Sequence, residues 1–261
     1  MMPRLTRRRI LSFIGGSAAV TLFGCLRRES SSIASTPSSI ASSIASPIAS
    51  PAVSPIASTA TTPACIVRPQ QTEGPYFRDE KLNRSDIRSN PADGAVKPGV
   101  PLKLAFQVSQ VSSAACVPLE GAIVDVWHCD AEGVYSDVSD RRFDTTGQKF
   151  LRGYQTTNAD GIAEFITIYP GWYPGRTVHI HFKIRTDATA QSSYEFTSQL
   201  YFDDAVTDQV DAQAPYAARG QRTQRNDQDG IFQRSGEQLL LTLTPAVEGY
   251  EGRFNIGLEL T

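Results

Sequence analysis

The chain has 261 residues with 25 Lys+Arg against 27 Asp+Glu, and the charge is unevenly spread: residues 1–28 hold six arginines and no acid, and residues 30–63 hold no charge at all. From residue 30 onward 19 Lys+Arg face 26 Asp+Glu, a net charge of about −7 that excludes a nucleic-acid or anionic-membrane partner for the folded part. The length allows one or two domains.

Residues 1–28 read as an export signal. Arg4, Arg7, Arg8 and Arg9 precede an apolar stretch over residues 10–23 that is short and rich in Gly and Ala, so it makes a poor spanning helix. Thr6-Arg7-Arg8-Arg9-Ile10-Leu11 looks like a twin-arginine signal, the route for proteins exported already folded. Leu22-Phe23-Gly24-Cys25 looks like a lipoprotein processing site, with Cys25 as the anchor residue; cleavage nearby and release of a soluble protein is the alternative. The protein is therefore expected outside the cytoplasm, periplasmic, at the cell surface or released.

Residues 29–63 are built from Ser, Ala, Pro and Ile in units such as Ser-Pro-Ile-Ala-Ser. They carry too little apolar bulk and too much proline for a core, and read as a linker. The folded domain is expected over 64–261. Beyond Cys25 the cysteines are Cys65, Cys116 and Cys129. Export permits one disulfide and one free thiol. The count leaves the pairing open; Cys65 and Cys116, each just before an expected strand or motif, are the favoured pair.

Within 64–261, Leu102, Leu104, Phe106 and Val108 lie two apart, as do Val178, Ile180, Phe182 and Ile184, then Leu239, Leu241 and Leu243, then Phe254, Ile256 and Leu258. Period two over short runs bounded by Gly, Pro, Asp and Asn predicts strands with one buried face. Asp160-Gly161 supplies a tight turn between two of them. A short helix is expected over 203–213 and no long helix anywhere. The predicted fold class is all-β, an antiparallel β-sandwich of about eight strands with long loops and at most one or two short helices.

Two of the three histidines lie in Val178-His179-Ile180-His181-Phe182. On a strand, residues i and i+2 share a face with Cα atoms about 7 Å apart. If the apolar residues take the core face, His179 and His181 point together to the other and form half a metal site. Two surface histidines on a sheet would give the same pattern. Arg176 comes three residues earlier, after the turn Pro170-Gly171-Trp172-Tyr173-Pro174-Gly175, and Tyr135 follows a loop through Asp130-Ala131-Glu132-Gly133. Trp127 and Trp172 suit the core or a pocket wall, and the third histidine, His128, suits a hydrogen bond near the site.

The histidine strand with its preceding Arg and Tyr, and the loop ending in Tyr135, resemble the intradiol ring-cleavage dioxygenases. Thr72-Glu73-Gly74-Pro75-Tyr76-Phe77 and Arg84-Ser85-Asp86-Ile87-Arg88 resemble that family's N-terminal segment. The resemblance implies ferric iron, Fe(III), held by two tyrosines and two histidines. Tyr135 matches the axial tyrosinate, which leaves the metal and takes a substrate proton; Tyr173 matches the equatorial one. His179 and His181 match the histidine ligands, Arg176 the arginine that stabilises charge on the substrate, and Gln199 a glutamine near the substrate pocket. The implied reaction cleaves a catechol-type ring between its two hydroxyl-bearing carbons with dioxygen, giving a cis,cis-muconate-type diacid. Two departures stand out. The interval from Tyr173 to His179 is shorter than in intracellular members. The helical N-terminal domain of the catechol 1,2-type enzymes is missing, so a monomer or weak dimer is expected. Two rival readings leave the tyrosines idle: an extracellular binding module, and another metalloenzyme in which Asp125 or Asp130 completes a two-histidine, one-carboxylate site.

Overall fold

The structure, a computed structural model, describes residues 66–112, 115–186 and 194–260. The expected signal, linker and lipid-anchor cysteine therefore lie outside the described residues. Cys116 is disulfide-bonded, and Cys65, its expected partner, also lies outside them. Cys129 is a free, buried thiol.

The strands in chain order are β1 (Pro101–Val111), β2 (Cys116–Pro118), β3 (Ile123–Trp127), β4 (Arg152–Thr156), β5 (Ile162–Ile168), β6 (His179–Arg185), β7 (Glu195–Tyr201), β8 (Leu243–Pro245) and β9 (Tyr250–Leu258). Between β7 and β8 lie helices α1 (Asp204–Asp211) and α2 (Phe232–Ser235) and three 3-10 turns. β1 carries β2 and β5 along one edge and β9 on the other, with β8 beyond β9; a second sheet runs β4-β3-β6-β7. The sandwich is antiparallel as expected except for one pair, β1 with β9, which is parallel from Leu102↔Tyr250 to Gln110↔Leu258.

Alternation decides which side chains meet between the sheets. Leu102, Leu104, Phe106 and Val108 of β1 and Phe254, Ile256 and Leu258 of β9 share one core with Val124 and Val126 of β3 and Ile180, Phe182 and Ile184 of β6. Phe182 sits at its centre, with ring centroids 5.1 Å from Phe106 and 5.6 Å from Phe254. Burying each such aromatic contributes about 2–3 kcal/mol. The other face of β6 departs from a simple half-buried strand, because His179, His181 and Lys183 are also buried.

The short helix falls where the sequence puts it: the Asp203 side chain caps α1 by accepting from the amides of Ala205 (2.7 Å) and Val206. The alternation at Leu239, Leu241 and Leu243 does not make one strand. Leu239 ends a 3-10 turn, the Leu241 amide donates to the Tyr201 carbonyl (2.8 Å), and only Leu243 enters β8. Leu239 and Leu241 still point inward. The pattern reported burial correctly, but the segment extends the end of β7 rather than forming a ladder of its own.

His128 lies fully buried just past β3. Its Nδ1–H donates to the Cys129 carbonyl (2.8 Å), so Nε2 must accept from the Thr167 hydroxyl (2.7 Å). Its hydrogen bonds thus tie β3 to β5 and do not reach the other two histidines. Burial pushes its pKa down from 6.5 to about 4. The unfolded chain takes up the proton first, so the stabilisation is complete above pH 6.5 and is lost as pH falls toward 4. In chemical denaturation, replacing His128 with Asn should flatten this window by about 3 kcal/mol; an unchanged pH slope would refute the assignment.

Candidate metal centre

The cross-strand register lines up one face of the second sheet. Trp127 pairs with Arg152 on one side and His181 on the other, and His181 pairs with Gln199, so these four form one row across β4, β3, β6 and β7. His179 and Tyr201 form a row on the same face, two residues along. Trp127 stacks flat on the His181 ring, with centroids 5.1 Å apart and planes 7° apart, and so fixes its orientation.

Two loops bring the tyrosines over this face. Asp130 organises the first, its Oδ1 accepting from the amides of Glu132 and Val134 at 3.0 Å each. Gly133 has φ +74°, and a Cβ there would collide with the Trp172 carbonyl; a Cβ on Gly171 would collide with the Ala131 carbonyl. The loop leading to Tyr135 and the loop leading to Tyr173 therefore touch backbone to backbone, joined by the Gly171 amide donating to the Asp130 carbonyl (3.1 Å). The rings of Tyr135 and Tyr173 meet edge to face at 5.8 Å. In the second loop Tyr173 and Arg176 are bridge partners across Pro174-Gly175, with Gly175 at φ +92°. Pro then Gly at the centre of a tight turn is the pattern of a type II turn, and the short interval before His179 is the result.

At the centre, the His179 Nδ1–H donates to the Thr177 carbonyl (2.7 Å), which leaves its Nε2 lone pair facing inward. Three groups approach that lone pair: Tyr173 Oη at 3.1 Å, His181 Nε2 at 3.0 Å and Arg176 Nη1 at 3.4 Å. Tyr135 Oη and His181 Nδ1 are buried with no hydrogen-bond partner. Burial, then the neighbouring Arg176, pushes the His179 pKa down to about 3, and burial carries His181 well below its ordinary value. Both rings are neutral and able to ligate. Burial raises both phenols, Tyr135 well above the ordinary range. The two differ in surroundings: Tyr135 is 1% exposed and walled in by Tyr76 (4.6 Å between centroids), whereas Tyr173 is only partly buried on its turn.

Arg176 is held from several sides. Its Nε donates to Asp229 Oδ2 (2.8 Å) and its Nη2 to Gln199 Oε1 (2.7 Å) and, more weakly, Tyr201 Oη (3.4 Å). Burial alone would lower its pKa, but the facing Tyr173 and Asp229 outweigh that and raise it. Gln199 spends its Nε2 on the Thr72 carbonyl (2.9 Å), so it links Arg176 to Thr72 rather than presenting a free amide. Tyr201 and Asp229 are the members that sequence reasoning missed. Tyr201 shares the His face through its i+2 spacing from Gln199, a signal the sequence does hold; Asp229 lies in an irregular segment with no period. The rival carboxylates are engaged elsewhere, Asp125 by Arg185 (2.7 Å) and Asp130 by Lys97 (2.8 Å).

Among the described residues no group of three or more His, Cys, Asp and Glu is placed to hold a metal. The candidate donor set is instead two imidazoles and two phenols. Two imidazole nitrogens 3.0 Å apart, with one phenol oxygen 3.1 Å from the first and a second phenol oxygen that has no partner, fit a cation at their common point. Hard phenolate oxygens with imidazole nitrogens suit Fe(III).

A family model described as Dioxygenase matches residues 72–228, which include every candidate residue except Asp229. Catechol 1,2-dioxygenase 1 of Acinetobacter lwoffii is 31% identical over 111 residues, 33% of this chain and 34% of that protein. Chlorocatechol 1,2-dioxygenase of Rhodococcus opacus is 28% identical over 150 residues, 50% of this chain and 54% of that protein. The chain thus spans about a third to a half of the curated relatives it matches. An intradiol ring-cleavage dioxygenase structure from Tetranychus urticae superposes with a TM-score of 0.63 at 30% identity, over 75% of this chain and 95% of that one. The dioxygenase domain of a dioxygenase carbohydrate-binding protein fusion from Streptomyces sp. SirexAA-E gives 0.54 at 31% identity, over 75% and 100%.

The backbone contact between the two loops makes a direct prediction. Gly133→Ala combines positive φ with a backbone collision and should cost about 2–4 kcal/mol. A thermal midpoint equal to the parent's would show that the two loops are not packed this way.

Proposed function

The chain belongs to the intradiol ring-cleavage dioxygenase family, and from that premise we propose that it is a ferric-iron enzyme that opens catechol-type rings with dioxygen between the hydroxyl-bearing carbons, yielding muconate-type diacids. The observation that carries this reading is the inward lone pair of His179, faced at once by Tyr173, His181 and Arg176 beside the unpartnered Tyr135 hydroxyl. Tyr135, Tyr173, His179 and His181 would hold the metal. Held there, ferric iron would supply Lewis acidity that acidifies a catechol-type diol and activates its ring.

The protein's own groups do the rest. Thr177 fixes the His179 tautomer through Nδ1, and Trp127 fixes the plane of His181, so both Nε2 atoms stay aimed inward. A phenol whose pKa is raised by burial gives a strongly basic phenolate, able to take a proton from a catechol hydroxyl. The resemblance gives that departing-base role to Tyr135. The burial argues for the exchange of roles: Tyr135 is fully buried against Tyr76, while Tyr173 is only partly buried on a four-residue turn. We therefore assign the mobile base to Tyr173 and the fixed anchor to Tyr135. Arg176, charged and partly desolvated, places Nη1 toward the centre, where negative charge develops on the ring. The basic signal and the uncharged linker support an exported, tethered enzyme; unprocessed protein retained in the cytoplasm with Arg7 and Arg8 intact would refute that.

The test is a visible spectrum of the iron-loaded protein before and after catechol, followed by product analysis. A phenolate-to-iron band that shifts with catechol, together with a muconate product, is expected; a colourless protein that takes up no iron would overturn the reading. Tyr173→Phe should weaken the band and keep iron, Tyr135→Phe should lose iron, and His181→Ala should retain none. Arg176→Ala should keep iron and the band but lower kcat/KM about 100- to 1000-fold. Loading should release about two protons per iron near neutral pH, because both phenols start protonated and both imidazoles neutral, and it should weaken as pH falls. Indicator titration checks this, and proton-free loading would remove the tyrosines from the ligand set.

A further inference from the structure

Asp229 lies one residue past the matched family segment. Its side chain is 1% exposed, and each oxygen has two donors. Oδ2 accepts from Arg176 Nε and from the Thr177 amide, each at 2.8 Å. Oδ1 accepts from the amides of Ile231 (2.8 Å) and Phe232 (3.1 Å) at the start of α2. The carboxylate is therefore anchored by backbone outside the β-sheet and cannot follow the guanidinium if that group turns. Arg176 is planar, and two buried acceptors hold two of its edges: Asp229 at Nε and Gln199 at Nη2. A planar fork fixed at two edges keeps one orientation, and in this one Nη1 is the nitrogen aimed at His179 Nε2.

We propose that Asp229 is a positioning residue for ring cleavage: it fixes the guanidinium plane so that Arg176 Nη1 faces the reacting ring, and it acts through Arg176 without touching substrate. This rests on the dioxygenase reading of the site. Without Asp229, Nε loses its anionic partner and the guanidinium turns about its stem, so positive charge is present but misplaced where the substrate needs it. A lysine at position 176 could not engage both acceptors at once.

A double-mutant cycle with a chemical probe tests it. Asp229→Asn keeps an acceptor for the local amides, so folding and the visible band should survive. Its kcat on catechol should fall about 10- to 100-fold with little change in KM. In an Arg176→Ala background the same change should cost less than about threefold, since the residue it acts through is gone. Losses that multiply, or parental kcat in Asp229→Asn, would overturn the proposal. Independently of turnover, phenylglyoxal should modify Arg176 several-fold faster in Asp229→Asn, read by peptide mass; an equal rate overturns it. If the parent protein cleaves no catechol, the dioxygenase reading fails while the modification rate still decides whether Asp229 fixes Arg176. Should Asp229→Asn not fold, Arg176→Lys takes its place: a large kcat loss is expected, and near-parental kcat overturns the proposal.

Discussion

The polar groups of the candidate centre converge on one buried lone pair, that of His179 Nε2. A buried polar group without a partner costs about 1–3 kcal/mol, and this centre carries an unpartnered phenol oxygen, an unpartnered imidazole nitrogen and a lone pair crowded by a phenol, a guanidinium and a second imidazole. Left as hydrogen-bonding groups, these residues are a poor use of a protein interior. Taken as ligands of a cation, the same atoms become mutually supportive, because opposed lone pairs and phenol oxygens are what a metal centre needs. Stability surrendered by the protein alone would be returned on loading, which couples metal binding to the integrity of this face.

The fold divides the labour on single strands. Ile180, Phe182 and Ile184 drive the two sheets together, while His179, His181 and Lys183, alternating with them, are held on the opposite face. The hydrophobic core thus fixes the histidine positions, with rotamers locked by a stacked tryptophan and a carbonyl hydrogen bond. The tyrosines reach the same face from loops, and those loops hold their place by close backbone packing at Gly133 and Gly171, where side chains would not fit.

Period-two patterning made β1, β6 and β9 legible from sequence, together with the shared face of the two histidines. The same rule could have named Tyr201, two residues after Gln199 on β7. The tyrosines could not be found that way, since a loop residue has no period; Tyr135 and Tyr173 entered only through the family resemblance. Asp229 escaped because its partners at the centre, Thr177 and Arg176, are 52 and 53 residues away in sequence and its own segment is irregular. The parallel pairing of β1 with β9 was likewise hidden: alternation reports which face is buried and is silent on which strand lies alongside.

The two tyrosines show how environment can separate chemically identical groups. Tyr135 is closed in by aromatic neighbours and suits a fixed anchor. Tyr173 shares a four-residue turn with Arg176, so the phenol proposed as the mobile base and the cation lie at opposite ends of one short piece of backbone. If Tyr173 swings to carry a proton, the turn would pull on Arg176 unless that end were fastened. It is fastened on both sides of the peptide that follows, with Asp229 accepting from Arg176 Nε and the Thr177 amide, and Asn226 from the Thr177 hydroxyl. Thr177 in turn accepts the His179 Nδ1–H. One buried carboxylate can thus hold the charge and the histidine still while the phenol moves, which separates proton transfer from the geometry of the centre.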